Sequence, residues 1–341
     1  SIVFVDSDTT FVSRRMAHDR SSTERESFVE SGPPRRHFDR SSFQRHRSAS
    51  GERESTSTTL LPQQIEEIVD QDALDFLDAD ERALLWDHRA ILIDVPHALP
   101  KLLQSVDWGS RRCVLEVYRL LHVWLKPPPI IALQLLGPRF PDLKVRSFAV
   151  ACLESISDHD LSAVMLQLVQ VLKLEPYHDT SLCRFLLRRA LRSPTVCGHT
   201  LFWMLNSEKH VKDPQHHCRV LLDLYVRYCG KHRVALGHQT FLMRKLDEVH
   251  ARTMAAEDGN RTHVLRNELG KLALPSRVQL PLSPYLVVTG LDVQRCRVMS
   301  SKTQPLWLHF TSAGAAKGAG TGASEISDES GPTIIVLYQT G

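Results

Sequence analysis

The chain has 341 residues, 42% of them apolar and 24% charged, with a net charge of +3. That length allows one large domain or two ordinary ones, and the charge is too small to argue for nucleic acid as a partner. Seven scattered cysteines without a Cys-x-x-Cys pair argue against a disulfide framework and fit a reducing compartment, while no apolar run approaches the ~20 residues of a membrane span.

The opening SIVFVDSD reads as one strand, the tail of a preceding domain. The rest of residues 1–58 is rich in Arg and Ser, with few large aliphatics after Val12. Such a composition cannot bury enough apolar surface to offset chain entropy, so the segment is expected to be disordered. Arg45 to Ser48 has an Arg-x-x-Ser pattern open to phosphorylation, with plain linker as the alternative. The chain begins with Ser, not Met, and shows no signal peptide at its start, which reads as a fragment of a cytosolic protein. In that setting the glycosylation pattern at Asn260-Arg-Thr is idle.

From about residue 60 the texture is helical. Val145, Phe148, Ala149, Cys152, Leu153 and Ile156 recur at spacings of three and four, one face of a helix that Asp142 caps and Pro141 bounds. Ser157 and Asp158 start the next, whose stripe is Leu161, Val164, Met165, Leu168 and Leu172, and Pro176 ends it. A third helix runs from about Ser181 to Leu191 and is closed by Pro194. Asp142, Val145, Phe148 and Leu153 map, 37 residues on, to Asp179, Leu182, Phe185 and Ala190. A two-helix period of about 40 residues points to a solenoid of HEAT type, whose pairs stack because none can cover its own stripe. Earlier members fall at 98–106, 114–124 and 130–136, later ones at 217–229 and 239–250.

After 250 the periodicity fades. Short β segments follow from Tyr285, at 286–288, around Cys296 and Val298, and at 306–310. A Gly/Ala/Ser stretch from Thr311 to Ser330 reads as a loop, and Thr333 to Tyr338 as a further strand. The division is therefore a segment 1–58, a helical domain 60–250, a linker 251–284 and a β unit 285–341. The fold class is mostly α, a HEAT/armadillo-like α-solenoid followed by antiparallel strands.

Several apparent sites have plainer readings. His216, His217 and Cys218 have no second ligand pair at zinc spacing. Gly314 to Gly322 mimics a phosphate cradle but lacks the Gly-Lys-Ser/Thr order. Arg184, Arg188 and Arg189 make a basic cluster that reads as a solvated helix face, with lipid contact as the alternative.

The string LQLVQVLKLEPYHDTSLCRFLLRRAL, Leu166 to Leu191, with FPDLKVRSFAVACLE before it and HTLFWMLNSE after it, resembles the helical accessory domain of phosphoinositide 3-kinases. LLWDHR at 84–89 resembles the entry to that domain, and Leu99 to Trp108 its first repeat. RCRVMSSKTQPLWLHF, Arg295 to Phe310, resembles the first hairpin of the lipid-kinase N-lobe, in a form closer to class I. The resemblance covers about residues 64 to 338 and makes 285–341 an incomplete antiparallel β N-lobe of a lipid kinase. It implies a parent that uses ATP and Mg to phosphorylate the inositol 3-hydroxyl of membrane phosphoinositides, in the cytoplasm with recruitment to the plasma membrane.

The resemblance also assigns residues. Ser300 and Ser301 would offer hydroxyl and backbone donors to phosphate, Lys302 a point charge, and Met299 and Trp307 would line the adenine side. Thr303 and Gln304 depart from relatives that carry a further basic residue. The family continues from a strand of the form Ile-Ile-Phe-Lys into Gly-Asp-Asp-Leu-Arg-Gln-Asp; here the Lys position holds Leu337 and the sequence then ends, without catalytic or metal-binding segments. A read-through intron, an alternative exon and a gene-assembly error are equally compatible with this pattern. ATP and Mg are therefore not expected on this chain alone, nor is activity, and residues after 284 are expected to be poorly ordered in isolation. Asp75, Asp78, Asp80 and Glu81 lie where class I relatives contact a regulatory subunit; acids that favour a helix start are the plainer reading. The alternative function is a non-catalytic solenoid scaffold or decoy that binds such a regulatory partner.

Overall fold

The computed structural model describes residues 2–6, 63–72, 75–208, 216–312 and 333–339. The Arg/Ser-rich segment and the Gly-rich run of 314–322 lie outside them. Helices come first: α1 (Gln63–Asp70), α2 (Ala79–Asp87), α3 (Leu99–Gln104), α4 (Arg111–Val123) and α5 (Pro129–Gln134). They continue as α6 (Leu143–Leu153), α7 (Asp158–Ala163), α8 (Met165–Leu172), α9 (Ser181–Arg192) and α10 (His199–Glu208). The last three are α11 (His217–Tyr228), α12 (His232–Met254) and α13 (Arg261–Gly270).

The local signals act as their chemistry dictates. Asp142 caps α6 by accepting from the Lys144 and Val145 amides, and Ser157 caps α7 by accepting from Asp160. Two details differ from the sequence reading. The 157–172 stripe is broken at Val164, which leaves helical geometry between α7 and α8. Asp179 is not the cap that its repeat partner Asp142 is; Thr180 caps α9, and Asp179 instead pairs with Arg184 at 2.6 Å. Of the apolar repeat positions, Val145, Leu153, Leu182, Phe185 and Ala190 are buried, while Phe148 is only partly so.

The repeat is also written in polar contacts. Ser147 Oγ meets Ser181 Oγ at 2.8 Å, 34 residues away, and Ser162 Oγ meets Thr200 Oγ1 at 2.7 Å, 38 residues away. Trp203 Nε1 donates to Gln239 Oε1 at 2.7 Å, 36 residues away. Each joins neighbouring helix pairs, as stacking of a solenoid requires.

The β unit is a six-stranded sheet of β1 (Ile2–Asp6), β2 (Val278–Leu280), β3 (Ser283–Leu291), β4 (Arg297–Val298), β5 (Leu306–Ser312) and β6 (Thr333–Gln339). The order is β1-β6-β5-β3-β2, with β4 also on β5; β1 and β6 run parallel and the other pairs antiparallel. The opening strand thus belongs to this sheet. Thr311 and Ser312 continue β5 instead of opening the loop.

Two apolar cores meet on α12. Leu236 belongs to the solenoid core, while Leu242, Met243, Leu246 and Val249 pack under the sheet with Leu265 and Leu269 of α13. The stretch 251–284, expected as a linker, therefore holds the end of α12, all of α13 and β2. These helices cover the inner sheet face.

Candidate functional site

The β4–β5 hairpin and β6 build the candidate site. Directly paired residues share a sheet face. Arg297 pairs with Trp307, Trp307 with Leu337, and His309 with Ile335, so these five lie on one face. Leu306, Leu308, Phe310, Val336 and Tyr338 point the other way, into the core over α12. The Arg297 guanidinium lies 5.2 Å from the Trp307 ring centroid, a cation–π distance. The Trp307 indole N–H donates to His309 Nε2 at 2.7 Å, which requires the proton of the neutral ring on Nδ1. Burial, then the positive charge of Arg295, pushes the His309 pKa down and keeps that ring neutral.

Met299 to Pro305 form the loop between β4 and β5. It is closed by backbone bonds from Met299 N to Pro305 O, Ser301 N to Met299 O and Gln304 N to Ser301 O, at 3.0, 3.0 and 3.1 Å. Ser300, Ser301 and Lys302 are exposed together at its tip, while Met299 and Trp307 are half-buried at its base. Two hydroxyls and an ammonium group with no ion pair among the described residues can meet an anion there. Leu337 stands directly opposite Trp307. It brings no charge to this face. Arg297 and His309 escaped the sequence reading; counting by two along β5 from Trp307 would have found His309, and the hairpin register Arg297.

The four acids around the start of α2 are not equivalent. Asp78 accepts from the Glu81 amide at 2.7 Å, and the Glu81 carboxylate accepts from the Asp78 amide at 2.9 Å, a complete capping box. Glu81 also accepts from Gln71 at 3.1 Å. Asp75 and Asp80 are exposed, and the backbone before α2 is held by buried Lys101, which donates to Asp72 O at 2.7 Å. Asp78, Asp80 and Glu81 line a shallow groove of about 430 Å³ with Gln64, Glu67, Ile68, Gln71 and Leu84.

The remaining clusters serve the scaffold. Arg184 pairs with Asp179, Arg188 with Glu154, and Arg189 with Asp158 at 2.6 Å and with Ile156 O at 2.7 Å. His217 and Cys218 are buried, and among the described residues no group of three or more His, Cys, Asp or Glu side chains is placed to hold a metal ion. Among the same residues no helix is long and apolar enough to cross a membrane.

Residues 53–237, more than half of the chain, match the model of the phosphoinositide 3-kinase family accessory domain, or PIK domain. The chain belongs to the phosphoinositide 3-kinase family. Its PIK domain is the solenoid, and the match stops within α12, where the sheet core begins. Phosphatidylinositol 3-kinase 2 of Dictyostelium discoideum is 39% identical over 247 residues, which cover 71% of this chain and 13% of that protein. Phosphatidylinositol 3-kinase 1 of the same organism is 38% identical over 246 residues, 72% of this chain and 16% of that protein. Phosphatidylinositol 3-kinase 3 is 32% identical over 252 residues, 73% and 15%. The matched stretch thus spans about a sixth or less of these curated relatives' length.

Proposed function

We propose that this chain is the scaffold portion of a phosphatidylinositol 3-kinase catalytic subunit. The parent transfers the ATP γ-phosphate to the inositol 3-hydroxyl of phosphoinositides, in the cytoplasm and on recruitment to the plasma membrane. The observation that carries the reading is the outer face of β4, β5 and β6, where Trp307 stands beside an exposed Ser300-Ser301-Lys302 tip. A flat indole suits the adenine side of a cleft, and hydroxyls with an ammonium suit phosphate oxygens. These residues fit part of an ATP site. Leu337 does not: phosphoryl transfer depends on positioning and neutralising charge, and an isobutyl group does neither. Mg would need carboxylates that the described part of this face does not offer. The adjoining coding sequence, translated in all frames, tests the reading. A run of the form Gly-Asp-Asp-Leu-Arg-Gln-Asp nearby supports it, and a long open region without a kinase lobe removes it.

Leu337 also favours a second reading, a non-catalytic scaffold or decoy that binds a regulatory partner through the acids around the start of α2. Asp78 and Glu81 maintain the helix start, so their neutralisation would confuse loss of contact with loss of structure. Asp75 and Asp80 are exposed and are the ones to change. Retention of this chain on an immobilised class I regulatory subunit, weakened in Asp75→Asn/Asp80→Asn, supports this reading. No retention of the intact chain ends it.

A further inference from the structure

Gln304 closes the candidate phosphate loop in a left-handed conformation, φ 44°, which is uncommon for a residue with a side chain. Its amide closes a turn onto Ser301 O at 3.1 Å, while its side chain finds a partner outside the loop. Arg261, the first residue of α13, donates from Nη1 to Gln304 Oε1. The same guanidinium is anchored by Ala256 O at 3.1 Å, by Met254 O at 3.4 Å and by the Asp258 carboxylate, and its side chain is only 19% exposed. The next turns of α13 hold the hairpin as well. Thr262 Oγ1 accepts from the Val298 amide at 3.4 Å, and Arg266 Nε donates to Cys296 O at 3.0 Å. One helix edge therefore carries three grips on β4 and its loop.

We propose that Arg261 is a positioning residue for the Ser300–Lys302 loop and acts through Gln304. A second basic residue in the loop, beside Lys302, would point its charge at a ligand. Here that charge sits on α13 and holds the Gln304 side chain instead, so that Ser301 and Lys302 are presented in one arrangement. The meaning of that arrangement for phosphate rests on the nucleotide-face reading above; the positioning itself does not.

The test is amide hydrogen exchange of the full chain over residues 299–305, without any ligand, so its outcome is separate from that of the nucleotide reading. Gln304→Leu removes the acceptor and leaves the other Arg261 bonds in place. It is expected to raise exchange of the loop amides about ten-fold, the loss of one charge-assisted hydrogen bond. Gln304→Glu keeps an acceptor and is expected to preserve protection. Arg261→Met is expected to loosen the loop as well, and Gln304→Gly, which adopts positive φ without strain, to remove most of that sensitivity in the double variant. Protection in α9 and α11 reports that each variant is folded. Equal loop exchange in the wild type, Gln304→Leu and Gln304→Glu would overturn the proposal. So would loosening in Arg261→Met that stays within 254–270.

Discussion

Gly198 has no room for a side chain: a Cβ there would lie 2.0 Å from the Tyr225 hydroxyl and 2.9 Å from Ala190 O. Pro194–Gly198 form a π-turn that brings α10 close to Tyr225, a fully buried ring. Gly198→Ala is expected to cost about 1–3 kcal/mol as an overpacking change, read as a lower urea midpoint; an unchanged midpoint would contradict the packing. The Tyr225 hydroxyl also bonds His232 Nδ1 at 2.8 Å, and His199 Nε2 meets Pro281 O at 2.6 Å, which ties the solenoid to the β2–β3 turn. Burial pushes both histidines down, His232 to about 4, with the His199 charge adding to the burial effect there. An unfolded histidine titrates near 6.5. As pH falls below that value the unfolded chain takes up protons first, so stability is full above about 6.5 and declines toward 4. A urea series across that window is expected to show this slope, and His232→Gln to flatten it. Asp158 and Glu268, held below their usual range by Arg189 and by Lys271 with Arg252, stabilise the fold at neutral pH, and that contribution is lost only as pH falls through the carboxylate range.

Arg146 and Glu175 link α6 to the turn after α8, and both are almost fully buried. Arg146 Nε reaches Glu175 Oε1 at 2.8 Å, and Nη1 reaches Leu136 O at 2.7 Å. Glu175→Ala leaves a buried guanidinium without its counter-charge and is expected to cost about 3–5 kcal/mol. Replacing both, Arg146→Met with Glu175→Leu, is expected to recover most of that loss in a thermal melt; a double variant no better than the single would contradict this. The apolar side of the repeat was legible in the sequence because Val145 and Leu182 obey one spacing. The Arg146–Glu175 link was not, since it joins unlike positions 29 residues apart. The caps at Asp142 and Ser157 were readable from their following residues, whereas the Thr180 cap of α9 was not, since it falls one residue after the repeat partner of Asp142. α13 was missed because only Leu265 and Leu269 of its ten residues are buried, too few for a stripe. The site was readable only as a string: Trp307 and Lys302 came from the resemblance, and the grip of Arg261 depends on tertiary contact across 43 residues.

The described residues form two cores on one shared helix. Trp203 touches both, and α12 gives Leu236 to one and Leu246 to the other. Neighbour-only contacts let solenoid repeats persist when a distant part opens. Leu246→Ala is therefore expected to cost about 2–5 kcal/mol in the sheet core. Hydrogen exchange should rise across β5 and α13 while α6 to α9 stay protected; uniform loss would mean one cooperative unit. The proposed role of this stretch of a phosphoinositide 3-kinase is scaffold, its proposed nucleotide face carrying Leu337 where a strand charge would be needed. The direct measurement is transfer of labelled phosphate from ATP to phosphoinositide vesicles by the purified folded chain. No labelled 3-phosphoinositide is expected, in the wild type or after Leu337→Lys. Product that scales with the chain and disappears in Lys302→Met would contradict the claim.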